Sequence, residues 1–482
     1  MTARELLADL PHRWLQGNPD VTCETVAYDS RQITPGAVFI AIRGTRVDGH
    51  QFLETADAAG AVLAIVEEVG NLPASIGAAL VPDARMALAK LAARFYGYPA
   101  RKLRLIGITG TNGKTSVAYL LRHLLSAAGR SCGLIGTIEY DLGDRVVPAA
   151  RTTPEALELH QSFAAMRRSA CDLCVMEISS HALAQQRVAG LEFAATAFTN
   201  LTQDHLDYHG DMESYFATKR QLFTMSADDA VQCVNGDDLF GRRLANEFGL
   251  QTVGEKNATY PVTVRELRQA STVFAMNGKE YTMPLIGRHN VANASLALAL
   301  AQGMGVGATA CAQALAQAPA VPGRLEPVDC GQPFAVYVDY AHTDDALRQG
   351  LRTLREITPG KLHVVFGCGG NRDSGKRAKM GAVAAELADF VCLTTDNPRR
   401  ESPETIISQI AEGCATVRDG GWQEELDRER AIDETLRTAR AGDTVLIAGK
   451  GHETYQEIND TIQHFDDRET ARAILNAMGN AH

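Results

Sequence analysis

Gly107-Ile108-Thr109-Gly110-Thr111-Asn112-Gly113-Lys114-Thr115-Ser116 follows an apolar run, 103–108, and precedes a stripe of Val117, Leu120, Leu121, Leu124 and Leu125 that ends near Gly129. The run has the length of one buried strand and the stripe has a helical period, so the decapeptide joins a strand to a helix. Glycines at such a junction let backbone N–H groups approach phosphate oxygens, and the helix N-terminus adds positive potential. Lys114 suits the β/γ-phosphates of a nucleotide and the Thr115 hydroxyl suits Mg²⁺, with Gly110, Thr111, Asn112, Gly113 and Ser116 completing an ATP-binding loop. The spacing departs from the strict P-loop, because Ile stands at 108 and the glycines fall at 107, 110 and 113. An ATP-driven enzyme is expected.

Composition narrows the class. With 482 residues the chain exceeds what a single core usually supports, which predicts several domains. Its 47 basic and 58 acidic residues give a net charge of −11, which argues against a general nucleic-acid or anionic-membrane binder. No signal-peptide pattern and no run of membrane-spanning length is present, so a cytoplasmic protein without membrane insertion is expected. The ten cysteines are mostly scattered singly in apolar segments, as reduced core thiols are; the lone Cys171–Cys174 CxxC falls in an expected strand and reads as packing.

The pattern of elements predicts an α/β chain of three domains, with a central P-loop doubly wound sheet and a C-terminal Rossmann-like sheet. Residues 1–86 show strand-like runs at 21–28, 38–42 and 61–67, with a helix at 83–96 leading out. In 87–322 the loop is followed by apolar strands at 131–138, 173–178 and 194–201. In 323–482, beyond the Pro322-Gly323 break, strands at 335–338, 362–366, 390–394 and 444–448 alternate with helices. The alanine-rich stretch 292–320 is expected to be helical.

Ligands of open α/β sheets gather at the carboxyl ends of strands, which singles out the polar residues closing each apolar run. Glu177 ends one strand and suits a carboxylate or water-mediated metal contact beside phosphates. The next strand ends in Asn200-Leu201-Thr202-Gln203-Asp204-His205-Leu206-Asp207-Tyr208-His209-Gly210. His205 and His209 have the spacing of a helical zinc pair, but without HExxH order or neighbouring cysteines a hard Mg²⁺ site fits better.

These segments resemble the Mur ligases, ATP-dependent amide-forming enzymes of bacterial cell-wall synthesis. The matching motifs are Thr109 to Thr115, Thr152-Thr153-Pro154, Glu177-Ile178-Ser179-Ser180-His181, Asp204 to His209, Gly287-Arg288-His289-Asn290, Pro322-Gly323-Arg324-Leu325-Glu326 and Asp339-Tyr340-Ala341-His342. Their order is most similar to the branch that adds the third peptide residue to UDP-N-acetylmuramoyl-L-alanyl-D-glutamate. The resemblance implies that Glu177 and His205 are metal ligands and that Asn290, Arg324 and Asp339 contact the nucleotide. It also implies that Lys219, in Tyr215 to Phe223, carries a CO₂-derived carbamate able to hold a second Mg²⁺; taken alone, a lysine on an amphipathic helix reads as a solvated charge.

Asp396-Asn397-Pro398-Arg399 follows the 390–394 strand, and Arg399 offers a planar fork to a carboxylate. In isolation the string also fits a turn with a surface arginine. It resembles the diaminopimelate-adding signature, which makes Arg399 the specificity residue for meso-diaminopimelate, with Asp396 and Asn397 beside it. The resemblance adds Arg372, Gly449 and Glu453, the last as an anion for the distal ammonium. Relatives commonly have Asp where this chain has Asn371. Ser30 is implied at the uracil end, and Thr152, Thr153, Ser179, Gln185 and Arg187 at the muramoyl-peptide and pyrophosphate. The rival expectations are an L-lysine-adding ligase, a folylpolyglutamate synthase-like ligase and a non-enzymatic nucleotide switch. A monomer is expected.

Overall fold

The computed structural model describes residues 1–44 and 47–479. Three main sheets follow one another along the chain, each with its own apolar core. The first has the strand order Arg13–Gln16, Gly77–Leu80, Leu63–Val66, Ala37–Ile40, Thr25–Ala27, parallel except for the edge strand Arg13–Gln16. Helix Ala84–Phe95 closes one face with Leu88 and Leu91, while Leu53 and Ala56 close the other. Arg13–Gln16 and Gly77–Leu80 gave no strand signal, being four residues each and, in the latter, built of Gly, Ala and Leu.

The second sheet has eleven strands. Its parallel centre runs Tyr260–Leu267, Gln251–Gly254, Ser226–Asn235, Phe193–Phe198, Arg104–Thr109, Leu173–Glu177, Cys132–Ile135. Antiparallel strands extend both edges, Thr272–Met276 and Lys279–Met283 at one, Glu139–Asp141 and Val146–Pro148 at the other. Helix Lys114–Ala127 lies on one face against helix Arg288–Gly303, whose side chains are buried almost all round. The expected helical stretch 292–320 is two helices, because Gly305 at φ +93° breaks it before Ala308–Leu315. Cys171 precedes its strand and packs in the same core cluster as Cys174; both are free thiols.

The third sheet has the order Glu326–Pro327, Ala335–Asp339, Thr444–Ala448, Leu362–Phe366, Phe390–Thr394, Trp422–Glu425, parallel except at the first strand. A separate hairpin, Tyr455–Ile458 with Thr461–His464, follows. No helix among the described residues is long and apolar enough to cross a membrane.

Candidate functional site

Strand Arg104–Thr109 lies between Phe193–Phe198 and Leu173–Glu177, so the three carboxyl ends meet at the phosphate-type loop. Two glycines shape that loop. Gly110 has φ +145° and Gly113 φ +85°, and a Cβ on either would collide with Thr199 or Asn293. The next strand braces the loop from outside: Asn200 Oδ1 accepts from Asn112 N at 2.9 Å, and Asn200 O accepts from Thr111 N at 2.8 Å. Lys114 Nζ donates to Gly110 O (3.1 Å) and Thr111 O (2.8 Å), which arches the loop around the ammonium.

Glu177 is fully buried. Its carboxylate accepts from Thr115 Oγ1 at 2.9 Å, from Thr137 N at 2.8 Å and from Thr137 Oγ1 at 3.1 Å, so it sits as an anchored anion against the first helical turn. Thr153 Oγ1 donates to Glu177 O (2.8 Å) and accepts from Ser179 N (3.0 Å), and Thr152 touches Thr137 at 3.1 Å. These oxygens are the hard donors that a divalent cation beside phosphates requires. Among the described residues no three His, Cys, Asp or Glu side chains are grouped so as to hold one metal ion.

Lys219 is where the structure departs most from the isolated sequence. The solvated charge suggested by its helix is instead a buried amine, 1% exposed, whose Nζ donates to Gly110 O at 2.7 Å and lies 4.6 Å from the Tyr215 ring centroid. Burial, reinforced by the Lys114 charge, holds its pKa well below the lysine range. That shift enlarges the share of free amine, the nucleophilic form that adds to CO₂. His205, at φ +53°, packs its ring edge-on to His181 at 4.8 Å.

A cavity of about 410 Å³ opens over this floor and is lined from both larger sheets, including Lys114, Glu177, His205, Arg324 and Asp339. Arg324 Nη2 donates to Thr115 Oγ1 at 3.3 Å, and the guanidinium lies 4.7 Å from the Tyr340 ring centroid. Asp339 accepts from Leu325 N (2.7 Å) and Ala341 N (2.8 Å). Asn290 is turned inward, donating to Ile286 O at 2.9 Å and accepting from Asn293 at 3.3 Å, and it is Asn293 and His289 that line the cavity. Ser116 and Ser179 also border it.

Ser30, Thr153, Gln185, Arg187 and Lys219 do not line this cavity. Arg187 donates to Thr153 O (2.9 Å) and Gln185 Oε1 (2.7 Å), with Glu155 3.0 Å from its Nε, so its guanidinium braces the Thr153 segment. Ser30 begins the short helix Ser30–Gln32, capped by Asp29, which also pairs with Arg31 at 2.6 Å.

The third sheet gathers the remaining set at its carboxyl edge. Asn397 Nδ2 donates to Glu453 Oε2 at 2.9 Å, and Asn397 Oδ1 accepts from Lys450 Nζ at 3.2 Å. Lys450 is fully buried, with Asp396 at 3.5 Å and Glu453 at 3.7 Å. Burial, then the Asp396 carboxylate beside it, raises the Glu453 pKa. Gly449 has φ +112°, and a Cβ there would press on Asp396. Arg372 is exposed, and its stem flanks Gly369 together with the Arg399 guanidinium. Asn371 adopts φ +52°, a conformation asparagine tolerates, and accepts from Arg400 N at 3.1 Å.

Sequence reasoning gave no role to Thr137, Asn200, Asn293 or Lys450. Asn293 had a signal, being three residues beyond Asn290 on one helix. Lys450 had one as well, sitting inside Gly449-Lys450-Gly451-His452-Glu453.

Fold and site together define an α/β protein of three sheets whose phosphate-binding type of loop faces a cavity completed by the C-terminal sheet. Family models match residues 22–96 as the Mur ligase family catalytic domain, 108–301 as the Mur ligase middle domain and 323–451 as the Mur ligase glutamate ligase domain. The chain is 44% identical over 468 residues to the UDP-N-acetylmuramoyl-L-alanyl-D-glutamate–2,6-diaminopimelate ligase of Solibacter usitatus (strain Ellin6076), covering 94% of each chain. It is 44% identical over 469 residues to the ligase of the same name from Gloeobacter violaceus, covering 95% of this chain and 94% of the relative. A solved structure of a ligase of that name superposes with a TM-score of 0.69 at 30% identity, covering 99% of both chains. The chain belongs to the Mur ligase family.

Proposed function

We propose that this chain is an ATP-dependent ligase that joins meso-diaminopimelate to UDP-N-acetylmuramoyl-L-alanyl-D-glutamate in peptidoglycan precursor synthesis. The observation that carries it is the sharing of one cavity by the Lys114 loop, anchored Glu177 and the Arg324–Asp339 segment, with the Asp396 to Arg399 string at the carboxyl edge of the same C-terminal sheet. The names of the relatives supply the substrates. The domain limits we propose are 1–86 for the UDP end, 87–322 for ATP and 323–482 for the amino acid.

In the reaction the D-glutamate γ-carboxylate attacks the γ-phosphorus of ATP, giving an acyl phosphate and ADP. The diaminopimelate amine then attacks the acyl carbon, and the tetrahedral intermediate expels phosphate and leaves an amide. Lys114 and the loop N–H groups hold the phosphates and offset charge that grows during transfer, and Arg324 adds a second cation on the opposite wall. Thr115, Glu177 and His205 would hold Mg²⁺, and Lys219, as its carbamate, a second ion; bound there, the metal supplies Lewis-acid neutralisation of phosphate charge. Glu177 and Lys219 are buried at the base of the site, and closure of the cavity over bound substrates would keep water from the acyl phosphate. Arg399 and Arg372 face the distal carboxylate, and Asp396 and Glu453 the distal ammonium. A monomer working in the cytoplasm, where ATP and UDP-linked precursors are made, completes the proposal.

The test is phosphate release from ATP by the purified chain with the UDP-linked dipeptide and meso-diaminopimelate, L-lysine or no amine, with product mass checked. A tripeptide product with diaminopimelate alone is expected. Equal use of lysine would overturn the specificity, and release without any amide product would overturn the ligase assignment.

A further inference from the structure

We propose that Glu457, on the hairpin Tyr455–Ile458/Thr461–His464, is a positioning residue that sets the Arg399 guanidinium for a distal substrate carboxylate, an inference that rests on the diaminopimelate reading above. Arg399 has φ +54°, left-handed backbone that residues other than glycine rarely adopt and that persists only where the surroundings over-determine it. The surroundings here are the hairpin. Arg399 N donates to Glu457 O at 3.0 Å, and Asn459 N donates to Arg399 O at 2.8 Å, so both backbone groups of the strained residue are held by the hairpin, one by its first strand and one by its turn.

The same hairpin fixes the rest of the string in order. Gln456 Nε2 donates to Asp396 O at 2.8 Å, and Glu457 N donates to Asn397 Oδ1 at 3.0 Å. Outside the site, Arg400 pairs with Asp460 at 2.8 Å. Consecutive hairpin residues therefore take up Asp396, Asn397 and Arg399, leaving the string little freedom to shift in register.

The side chain completes the device. Arg399 Nε donates to Glu457 Oε2 at 3.0 Å, and Nη1 donates to Gly370 O at 2.9 Å. Among the described residues Nη2 has no protein hydrogen bond. Glu457 therefore occupies the Nε side of the guanidinium and Gly370 O takes one N–H of Nη1, leaving Nη2 and the second N–H of Nη1 as the pair with which a carboxylate can be gripped. An arginine without that lateral hold would sample many rotamers, and the substrate would have to order it on binding.

The experiment compares steady-state kinetics and melting temperature of the full-length wild-type, Glu457→Ala and Glu457→Gln proteins, with meso-diaminopimelate and L-lysine as amines. Glu457→Ala is expected to raise the diaminopimelate KM about ten- to hundredfold, the equivalent of a lost charge-assisted hydrogen bond. Its kcat and ATP KM should stay within about threefold, since the interaction acts on amine binding. Glu457→Gln keeps an oxygen acceptor for Nε and should recover most of the loss. An unchanged diaminopimelate KM in a folded Glu457→Ala protein would overturn the proposal, and so would a lower KM, which would make Glu457 a competitor for Arg399. Equal rises in all KM values with a lowered melting temperature would reduce the hairpin to a structural clamp and overturn it too. Wild-type enzyme that uses lysine as readily as diaminopimelate would show that the substrate reading fails before any variant is measured, and the proposal falls with it.

Discussion

Arg428 and Asp467 face each other completely shut off from solvent, with Nε to Oδ1 and Nη2 to Oδ2 both at 2.7 Å. The guanidinium also donates to Ala448 O at 3.0 Å and Thr395 O at 3.4 Å, the carbonyls immediately before Gly449 and Asp396. One buried cation thus ties the ends of two strands beneath the proposed amino-acid site. Removing one partner leaves an uncompensated internal charge, so Asp467→Ala should cost about 3–5 kcal/mol of stability, whereas an apolar replacement of both partners should recover much of it. Calorimetric melting of the single and double variants checks this, and a single variant that melts like the wild type would remove the pair from the supports of the site.

Lys219 gives a prediction about pH. In the unfolded chain its amine is protonated at neutral pH, while burial in the folded chain holds the pKa well below the lysine range. Between those two values the unfolded state binds more protons, so this group makes stability rise with pH, and the rise ends above the ordinary lysine value. Melting curves in bicarbonate-free buffer should show that slope in the wild type and lose it in Lys219→Met. Because CO₂ adds only to the neutral amine, a ¹³C-bicarbonate label should appear on the wild type, fade on acidification and be missing from Lys219→Met. The same slope in both proteins would mean that the folded amine is charged.

Gly110 tests the loop itself. Its φ of +145° disfavours any side chain, and an added Cβ would run into the Thr199 hydroxyl. That hydroxyl is not free to turn aside, since it donates to Asn112 O at 2.6 Å. Gly110→Ala should therefore keep its far-ultraviolet circular dichroism and lose about ten- to hundredfold in ADP affinity by titration calorimetry, the equivalent of roughly 1–3 kcal/mol of backbone strain. Wild-type affinity would mean that the loop does not need its observed curvature.

The long apolar strands were legible because a buried parallel strand writes itself as an unbroken apolar run: Leu362–Phe366, Phe390–Thr394 and Thr444–Ala448 were all readable as such. Edge strands were not. Val146–Pro148 and Thr461–His464 are largely exposed, so no alternation marks them. The loop and the strand-end Glu177 could be read from local pattern, since strand, glycines and helix adjoin in sequence. Burial of Lys219 could not, because it depends on Gly110, 109 residues away, closing over its amine. Glu457 is 58 residues from Arg399, and nothing local distinguishes it from a surface glutamate.

Arg399 combines a strained backbone with a charged fork, and substitution can separate the two. Arg399→Gly removes the fork and suits φ +54°; Arg399→Ala removes the fork and keeps the left-handed cost of about 1–2 kcal/mol; Arg399→Lys keeps the charge without the planar geometry. If the side chain grips a substrate carboxylate, Gly and Ala should raise the diaminopimelate KM alike, about tenfold or more, while the Gly variant melts higher than the Ala variant. Lys should fall between them and the wild type, since a point charge attracts a carboxylate but cannot grip both oxygens. Should Gly and Ala differ in KM in step with their melting temperatures, backbone order rather than the guanidinium would be what the site uses, and Arg399 would lose its place as the specificity residue.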